Sequence, residues 1–236
     1  MIMERRKFVV IMAAGSGSRM GASRPKQFLD IGGRMILQRT MEVFLEACPD
    51  ISVVTVLPED FISFWREHCL EQNFICPQII VPGGITRFHS VRNALSRIPD
   101  GAIVAIHDGV RPLVSSALVG SMFSMAETVP ALVPVIPCID TLKVLKDEGG
   151  ELRTIEGAVA DRSVLYAAQT PQIFHSEILK QAYSLPYDTS FTDDASVVQA
   201  YGKSLSYTIG ERLNIKITTQ EDLLLADAVL ALKDRN

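Results

Sequence analysis

Two stretches of this chain have residue types and spacing suited to chemistry on phosphate anions. In the first, Gly15-Ser16-Gly17-Ser18 follows a short apolar run, Phe8–Met12, and leads into two cations, Arg19 and Lys26. Glycines let the backbone turn so that successive N–H groups face one anion. Arg19 and Lys26 add charge beside those donors, so the stretch reads as a triphosphate cradle. In the second, His107-Asp108 ends another apolar run. Two readings of that pair stand: a strand-end histidine with an aspartate capping the next element, or a carboxylate at a site.

Two other phosphate motifs fail on position. The dinucleotide fingerprint G-x-G-x-x-G lacks its third glycine, because Met20 stands there. Gly202-Lys203-Ser204 supplies the end of a G-x-x-x-x-G-K-S loop, but Val197 occupies the first glycine position. What remains is A-A-G-x-G-x-R-M followed by Pro25-Lys26-Gln27. His68, His89 and His175 have no metal-ligand spacing and read as surface or packing residues. Trp65 reads as core. Asp193 and Asp194 read as helix-cap residues at least as readily as a carboxylate pair.

The elements that must position these residues follow from periodicity. Phe8–Met12, Ile51–Leu57, Ile79–Val81, Ile103–His107 and Leu132–Ile136 are continuous apolar runs, as strands covered on both faces require. Between them Met35–Ala47, Glu59–Asn73, Thr86–Ile98 and Ser115–Thr128 have helical patterns. The alternation predicts βαβ units and a mostly parallel sheet. Thr141–Leu145 and Leu152–Ile155 flank Asp147-Glu148-Gly149-Gly150 and predict a hairpin. A lone hairpin is marginal in water, so burial against a second copy of the chain is expected. His175–Ser184 and Thr192–Tyr201 predict helices, the latter starting at Thr192. Leu205–Ile209 and Asn214–Ile217 predict strands, and Thr219–Leu232 a last helix. The expectation is a single domain over 1–236 with a β-hairpin arm at about 138–165.

Composition narrows the function classes. With 236 residues, 47% hydrophobic and 21% charged, the chain reads as globular, with room for a core of several layers. A net charge of −4 supplies no basic field for nucleic acid. The four cysteines form no C-x-x-C pair and read as reduced thiols of a cytoplasmic protein. No apolar run reaches the roughly 18 residues of a membrane span. Glu4-Arg5-Arg6-Lys7 before FVVIMAA has the outline of a signal peptide, but the glycine loop follows at once, which favours a buried first strand.

Ala13-Ala14-Gly15-Ser16-Gly17-Ser18-Arg19-Met20 with Pro25-Lys26-Gln27 resembles the signature of the sugar-nucleotidyltransferase superfamily. More narrowly, the chain is similar to the 2-C-methyl-D-erythritol 4-phosphate cytidylyltransferase family. The match runs in order through Gly83-Gly84 with Arg87 and Ser90, His107-Asp108-Gly109-Val110-Arg111-Pro112, Asp140-Thr141 with Lys143, Asp161-Arg162, Gln169-Thr170-Pro171-Gln172, Thr192-Asp193-Asp194-Ala195-Ser196 and Asn214-Ile215-Lys216.

The resemblance implies a three-layer, Rossmann-like α/β fold, with a mostly parallel sheet and a protruding β-arm for dimerisation. It implies CTP and a sugar-alcohol phosphate as reactants, Mg²⁺ or another divalent cation as cofactor, and a homodimer with a composite active site. Arg19, Lys26, Lys216 and Arg162 become the catalytic cations. Ala13, Ala14, Gly15, Ser16, Gly17, Lys26, Gly83, Gly84, Ser90, Asp108 and Gly109 become nucleotide-binding residues. Asp108, Arg111, Thr141, Arg162, Thr170, Thr192 and Lys216 become acceptor-binding residues. Asp108 holds either the metal or substrate hydroxyls. Many relatives have an acid after the second glycine where this chain has Ile85, so no side-chain bond to ribose is implied.

A rival reading is ribitol 5-phosphate cytidylyltransferase, which shares the loop, P-K-Q and H-D-x-x-R-P. Ala13-Ala14-Gly15, and Asp161-Arg162 with Tyr166 before Gln169-Thr170-Pro171, favour the first reading. A non-catalytic nucleotide-binding protein would be expected to lose Arg19, Lys26 or Lys216, and all three are present.

Overall fold

The computed structural model describes residues 5–15 and 24–233. In chain order it contains β1 (Arg6–Met12), β2 (Asp30–Ile31), β3 (Arg34–Met35), α1 (Ile36–Ala47), β4 (Ser52–Leu57), α2 (Ile62–Glu71), β5 (Gln78–Pro82), α3 (Arg87–Leu95) and β6 (Ala102–Asp108). There follow α4 (Ser116–Ala126), β7 (Ala131–Pro137), β8 (Leu145–Glu148), β9 (Glu151–Thr154), β10 (Tyr166–Ala168), β11 (Gln172–His175), α5 (Ser176–Ala182), α6 (Asp194–Ala200), β12 (Ser206–Ile209) and α7 (Gln220–Lys233).

The main sheet runs β7-β11-β6-β1-β4-β5; β10 and β11 pair with successive stretches of one edge of β7, and β12 pairs with its other edge. Its β6-β1-β4-β5 part is parallel, and β11 runs antiparallel between β6 and β7. Alternate residues of each continuous apolar run enter opposite layers. Val9, Ile11, Val53 and Ile103 pack with Phe44 of α1, Trp65 of α2 and Phe123 of α4. Phe8, Val10, Val54 and Val104 pack with Phe88 of α3, Leu179 of α5 and Val198 of α6. Each such side chain contributes about 1.5–3 kcal/mol by leaving water. This is the three-layer α/β architecture implied by the resemblance. No helix among the described residues is long and apolar enough to cross a membrane.

The structure departs from periodicity in four places. The hairpin strands are Leu145–Glu148 and Glu151–Thr154, so Asp147 and Glu148 belong to a strand rather than the turn. Gly149 and Gly150 alone make the turn, both with positive φ (70° and 94°), which a two-residue hairpin loop requires. Helix α6 is capped one residue later than expected: Asp193, not Thr192, is its cap, in a capping box with Ser196, and the helix runs from Asp194. Asn214–Ile217 is not a strand: the Asn214 carbonyl is taken by the Arg111 and Gln169 side chains, and the N–H groups of Asn214, Ile215 and Ile217 bond the Glu211, Leu213 and Val110 carbonyls rather than a neighbouring strand. Strands β10 and β11 had no alternation strong enough to announce them. They form because the edges of β6 and β7 need partners.

Trp65 is fully buried and donates to the Gln78 amide oxygen (2.9 Å). His68 stacks on Trp65, His89 bonds the Thr86 hydroxyl (2.8 Å) and His175 bonds the Ala126 carbonyl (2.8 Å). All three histidines therefore serve packing. The four cysteines are free; Cys48 is buried and the others half-buried.

Candidate active site

After β5 the chain crosses back to the other side of β1 to form β6. The loops leaving the carboxyl ends of β1 and β6 thus diverge, which opens a crevice where open α/β sheets bind ligands. Here the crevice is a cleft of about 680 Å³, lined by Ala13–Gly15, Lys26, Gly84–Arg87, Ser90, Asp108, Lys216 and Thr218, among others.

Three glycines let the loops meet. A Cβ at Gly83 would lie 2.6 Å from the Ala14 methyl, one at Gly84 2.5 Å from His89 Cβ, and one at Gly109 3.0 Å from the Ala13 methyl. The loop after β1 is also tied from below. The fully buried Gln27 side chain donates to the carbonyls of Ala13 (2.6 Å) and Gly15 (3.1 Å). Ser90 Oγ accepts from Gly84 N and donates to Thr86 O, both at 2.9 Å. It shapes the loop that was expected to meet the base.

Asp108 is the electrostatic centre. Its carboxylate lies 3.1 Å from Lys216 Nζ and 3.2 Å from Arg111 Nε. Burial alone would push this carboxyl up; the charges of Arg87, Lys216 and Arg111 outweigh it and hold the group well below the usual carboxylate range. His107 is fully buried, packs edge-on to Phe44 and bonds Thr170 Oγ1 (3.1 Å) and the Arg111 carbonyl (3.3 Å). Burial pushes its imidazole down to about 4, so it is a neutral strut behind Asp108. Thr170 Oγ1 also accepts from the Asp108 backbone N–H (3.1 Å).

Asp108 is the single carboxylate among the described lining residues, and those residues contain no cluster of three metal-ligating side chains. Magnesium is commonly held by one or two carboxylates together with substrate phosphates. The donor set therefore fits a cation carried on a triphosphate, with Asp108 as its protein oxygen, and does not fit a cage built by the protein alone.

The family profile described as 2-C-methyl-D-erythritol 4-phosphate cytidylyltransferase matches residues 7–232. The chain belongs to that family. A 2-C-methyl-D-erythritol 4-phosphate cytidylyltransferase of Porphyromonas gingivalis (strain W83) is 42% identical over 230 residues, covering 97% of this chain and 99% of the relative. One from Bacteroides thetaiotaomicron is 40% identical, covering 94% and 98%. The crystal structure of 4-diphosphocytidyl-2C-methyl-D-erythritol synthase from Anaerococcus prevotii superposes with a TM-score of 0.77 at 26% identity, over 96% of this chain and 99% of that one. That of the Thermus thermophilus cytidylyltransferase gives 0.71 at 30% identity, over 97% and 100%.

This member of the cytidylyltransferase family brings Ala13, Ala14, Gly15, Lys26, Gly84, Ser90, Asp108 and Lys216 to one cleft, with Gly83, Gly109, Arg111 and Thr170 packed behind them. Ser16, Gly17 and Arg19 lie outside the described residues. Thr141, Arg162 and Thr192 are exposed and do not line the cleft; Arg162 instead donates to the Ile139 carbonyl (2.7 Å). Two contributors, Gln27 and Arg87, stand in the matched motifs but had no role assigned from the sequence. Gln27 sits beside Lys26 in P-K-Q, a signal that was available. Arg87 lines the cleft and is held by the wholly buried Asp194 through bonds of 2.9 and 2.6 Å, while Tyr183 OH donates to the same carboxylate (2.6 Å). Asp194 is therefore an ion-pair partner, while Asp193 alone caps the helix.

Proposed function

We propose that the chain transfers a cytidylyl group from CTP to 2-C-methyl-D-erythritol 4-phosphate, giving 4-diphosphocytidyl-2-C-methyl-D-erythritol and pyrophosphate in non-mevalonate isoprenoid precursor biosynthesis. The observation that carries this reading is the meeting of Lys26, Lys216 and Asp108 with the loop after β1 in one cleft. Both reactants are anions, so repulsion is the first barrier. An oxygen of the acceptor phosphate attacks the α-phosphorus, the bond to the β-phosphate breaks, and pyrophosphate carries away the electron pair. Little covalent work falls to the protein; positioning and charge stabilisation carry the rate. Lys26 and Arg19 serve the triphosphate, while Lys216 and Arg111 serve the acceptor beside Asp108. A divalent cation carried on the phosphates would be held by Asp108 and would supply positive charge against the charge developing on the leaving group. Four free thiols support a reducing compartment, the cytoplasm.

Thr141 and Arg162 are assigned to the cleft of a second copy in a homodimer, with Thr192 near the acceptor phosphate. Two features support this: both arm residues are exposed off their own cleft, and the arm region exposes Leu145, Leu152, Ile155 and Val159. Mixing Lys26→Ala with Arg162→Ala chains tests it. Recovered activity is expected, and exchange of subunits without recovery overturns the composite site.

Pyrophosphate release from CTP with each candidate acceptor tests the reaction. Turnover with 2-C-methyl-D-erythritol 4-phosphate is expected. The family match favours it over ribitol 5-phosphate, and turnover of ribitol 5-phosphate alone, or CTP binding without turnover, overturns the assignment.

A further inference from the structure

Lys216 stands in the cleft on a segment with no strand or helix to hold it. A long flexible side chain set 3.1 Å from Asp108 on an irregular segment needs a backbone fixed by something else. On its far side the fully buried Ile217 bonds the Val110 carbonyl (2.9 Å); on its near side the fixing group is the side chain of Gln169, buried at the end of β10. Its amide nitrogen donates to the carbonyls of Glu211 (2.8 Å) and Asn214 (3.3 Å). Its amide oxygen accepts from Glu211 N (3.1 Å) and Asn214 Nδ2 (3.4 Å). One primary amide thus satisfies both ends of the turn from 211 to 214.

The same turn is tied to the site at three more points. Asn214 Nδ2 donates to the Thr170 carbonyl (2.8 Å), Arg111 Nη1 donates to the Asn214 carbonyl (2.7 Å), and Glu211 accepts from Ser115 N (3.0 Å). Asn214 Oδ1 has no protein partner, although the residue is fully buried. An unpaired buried oxygen is costly, so the asparagine is there for its amide nitrogen. Gly210 completes the fit, because a Cβ there would overlap the Gln169 amide oxygen.

We propose that Gln169 is a positioning residue, the post around which residues 210–214 turn, and that it acts on the reaction by setting Lys216 beside Asp108. The inference rests on the reading of Lys216 as a working cation of the transferase. Arg111 and Thr170 bond to the same turn, so the post also keeps Lys216 in register with the residues that brace Asp108.

The test is a double-mutant cycle between Gln169→Glu and Lys216→Ala, read as single-turnover formation of labelled cytidylyl product. Glutamate keeps the shape and the accepting oxygen but replaces the donor nitrogen with an oxygen that cannot donate to the two carbonyls. Gln169→Glu is expected to slow the reaction about tenfold or more with Lys216 present and less than about twofold in the Lys216→Ala background, since residues acting through one another are non-additive. A loss of thermal midpoint from Gln169→Glu is expected equally in both backgrounds. If Gln169→Glu does not fold, Gly210→Ala presses on the same amide and is expected to show the same dependence on Lys216. An equal factor in both backgrounds, or no effect with Lys216 present, overturns the proposal. Turnover by the unmutated chain reports on the proposed reaction; only the ratio between backgrounds reports on Gln169.

Discussion

Arg87 and Asp194, 107 residues apart in the chain, form a two-pronged ion pair across the wall of the cleft, at 2.9 and 2.6 Å. Asp194 has no exposure, while the Arg87 side chain keeps 33%. A buried carboxylate is tolerable only when its charge and lone pairs are met. Arg87 and the Tyr183 hydroxyl meet them. The pair joins the first residue of α3 to the first residue of α6, and it leaves the guanidinium at the cleft beside Asp108.

Asp194→Ala is expected to lower stability by about 2–4 kcal/mol, below the full range for a broken buried pair because Arg87 can rehydrate in part. Urea-denaturation midpoints check this. The double change Arg87→Met with Asp194→Leu is expected to recover most of that stability while losing turnover, since it restores packing but removes the cleft charge.

Gln27→Ala removes two bonds to the carbonyls of Ala13 and Gly15 and leaves both acceptors without their donor. A loss of about 1–3 kcal/mol is expected. The affinity for CTP is expected to fall by on the order of tenfold, because the cleft wall at Ala13–Gly15 loses its tether. Calorimetric titration with CTP, alongside a denaturant curve, separates the two effects.

Gly83→Ala places a methyl 2.6 Å from that of Ala14, so the loops after β1 and β5 must part. Overpacking of this kind costs about 1–3 kcal/mol. A drop in thermal midpoint with a raised KM for CTP is the expected result. Gly33→Ala, with nothing near its Cβ, is the control: its positive φ of 75° costs some stability and leaves KM unchanged.

His107 ties acid stability to the site. Burial pushes its imidazole down to about 4, whereas in the unfolded chain it titrates near the ordinary 6.5. Between those values the unfolded state binds more protons, so stability rises with pH and is lost as pH falls from about 6.5 to 4. The full effect is about 3 kcal/mol. The depressed Asp108 carboxyl adds a second loss, below about pH 3.8. His107→Gln is expected to flatten the first loss and leave the second. Denaturant midpoints at pH 7.0, 5.0 and 3.5 distinguish the two.

The strands of the parallel core were legible because residues buried on both faces must be apolar throughout. Phe8–Met12 and Ile103–His107 were each recovered to within two residues of the observed ends. That Ala13–Gly15 and Lys26 share one cleft was legible because they lie close together in the chain, just past the end of a buried strand. The cap of α6 was misplaced by one residue because Thr192, Asp193 and Asp194 can each cap a helix, and local sequence does not rank them. Asn214–Ile217 has the composition of a strand, yet Gln169 and Arg111 take the Asn214 carbonyl and Ile217 N bonds the loop at Val110.

By itself, the sequence determined the layered α/β architecture and the family to which the chain belongs. These rest on periodicity and on short motifs, which are local properties. Only the tertiary structure decided that Asp194 restrains Arg87, that Gln27 tethers the loop after β1 and that Gln169 holds the turn before Lys216. Each is a bond between groups 12 to 107 residues apart. Such a bond forms only after the sheet has brought its partners together, and a buried polar group accepts whatever partner the fold places beside it.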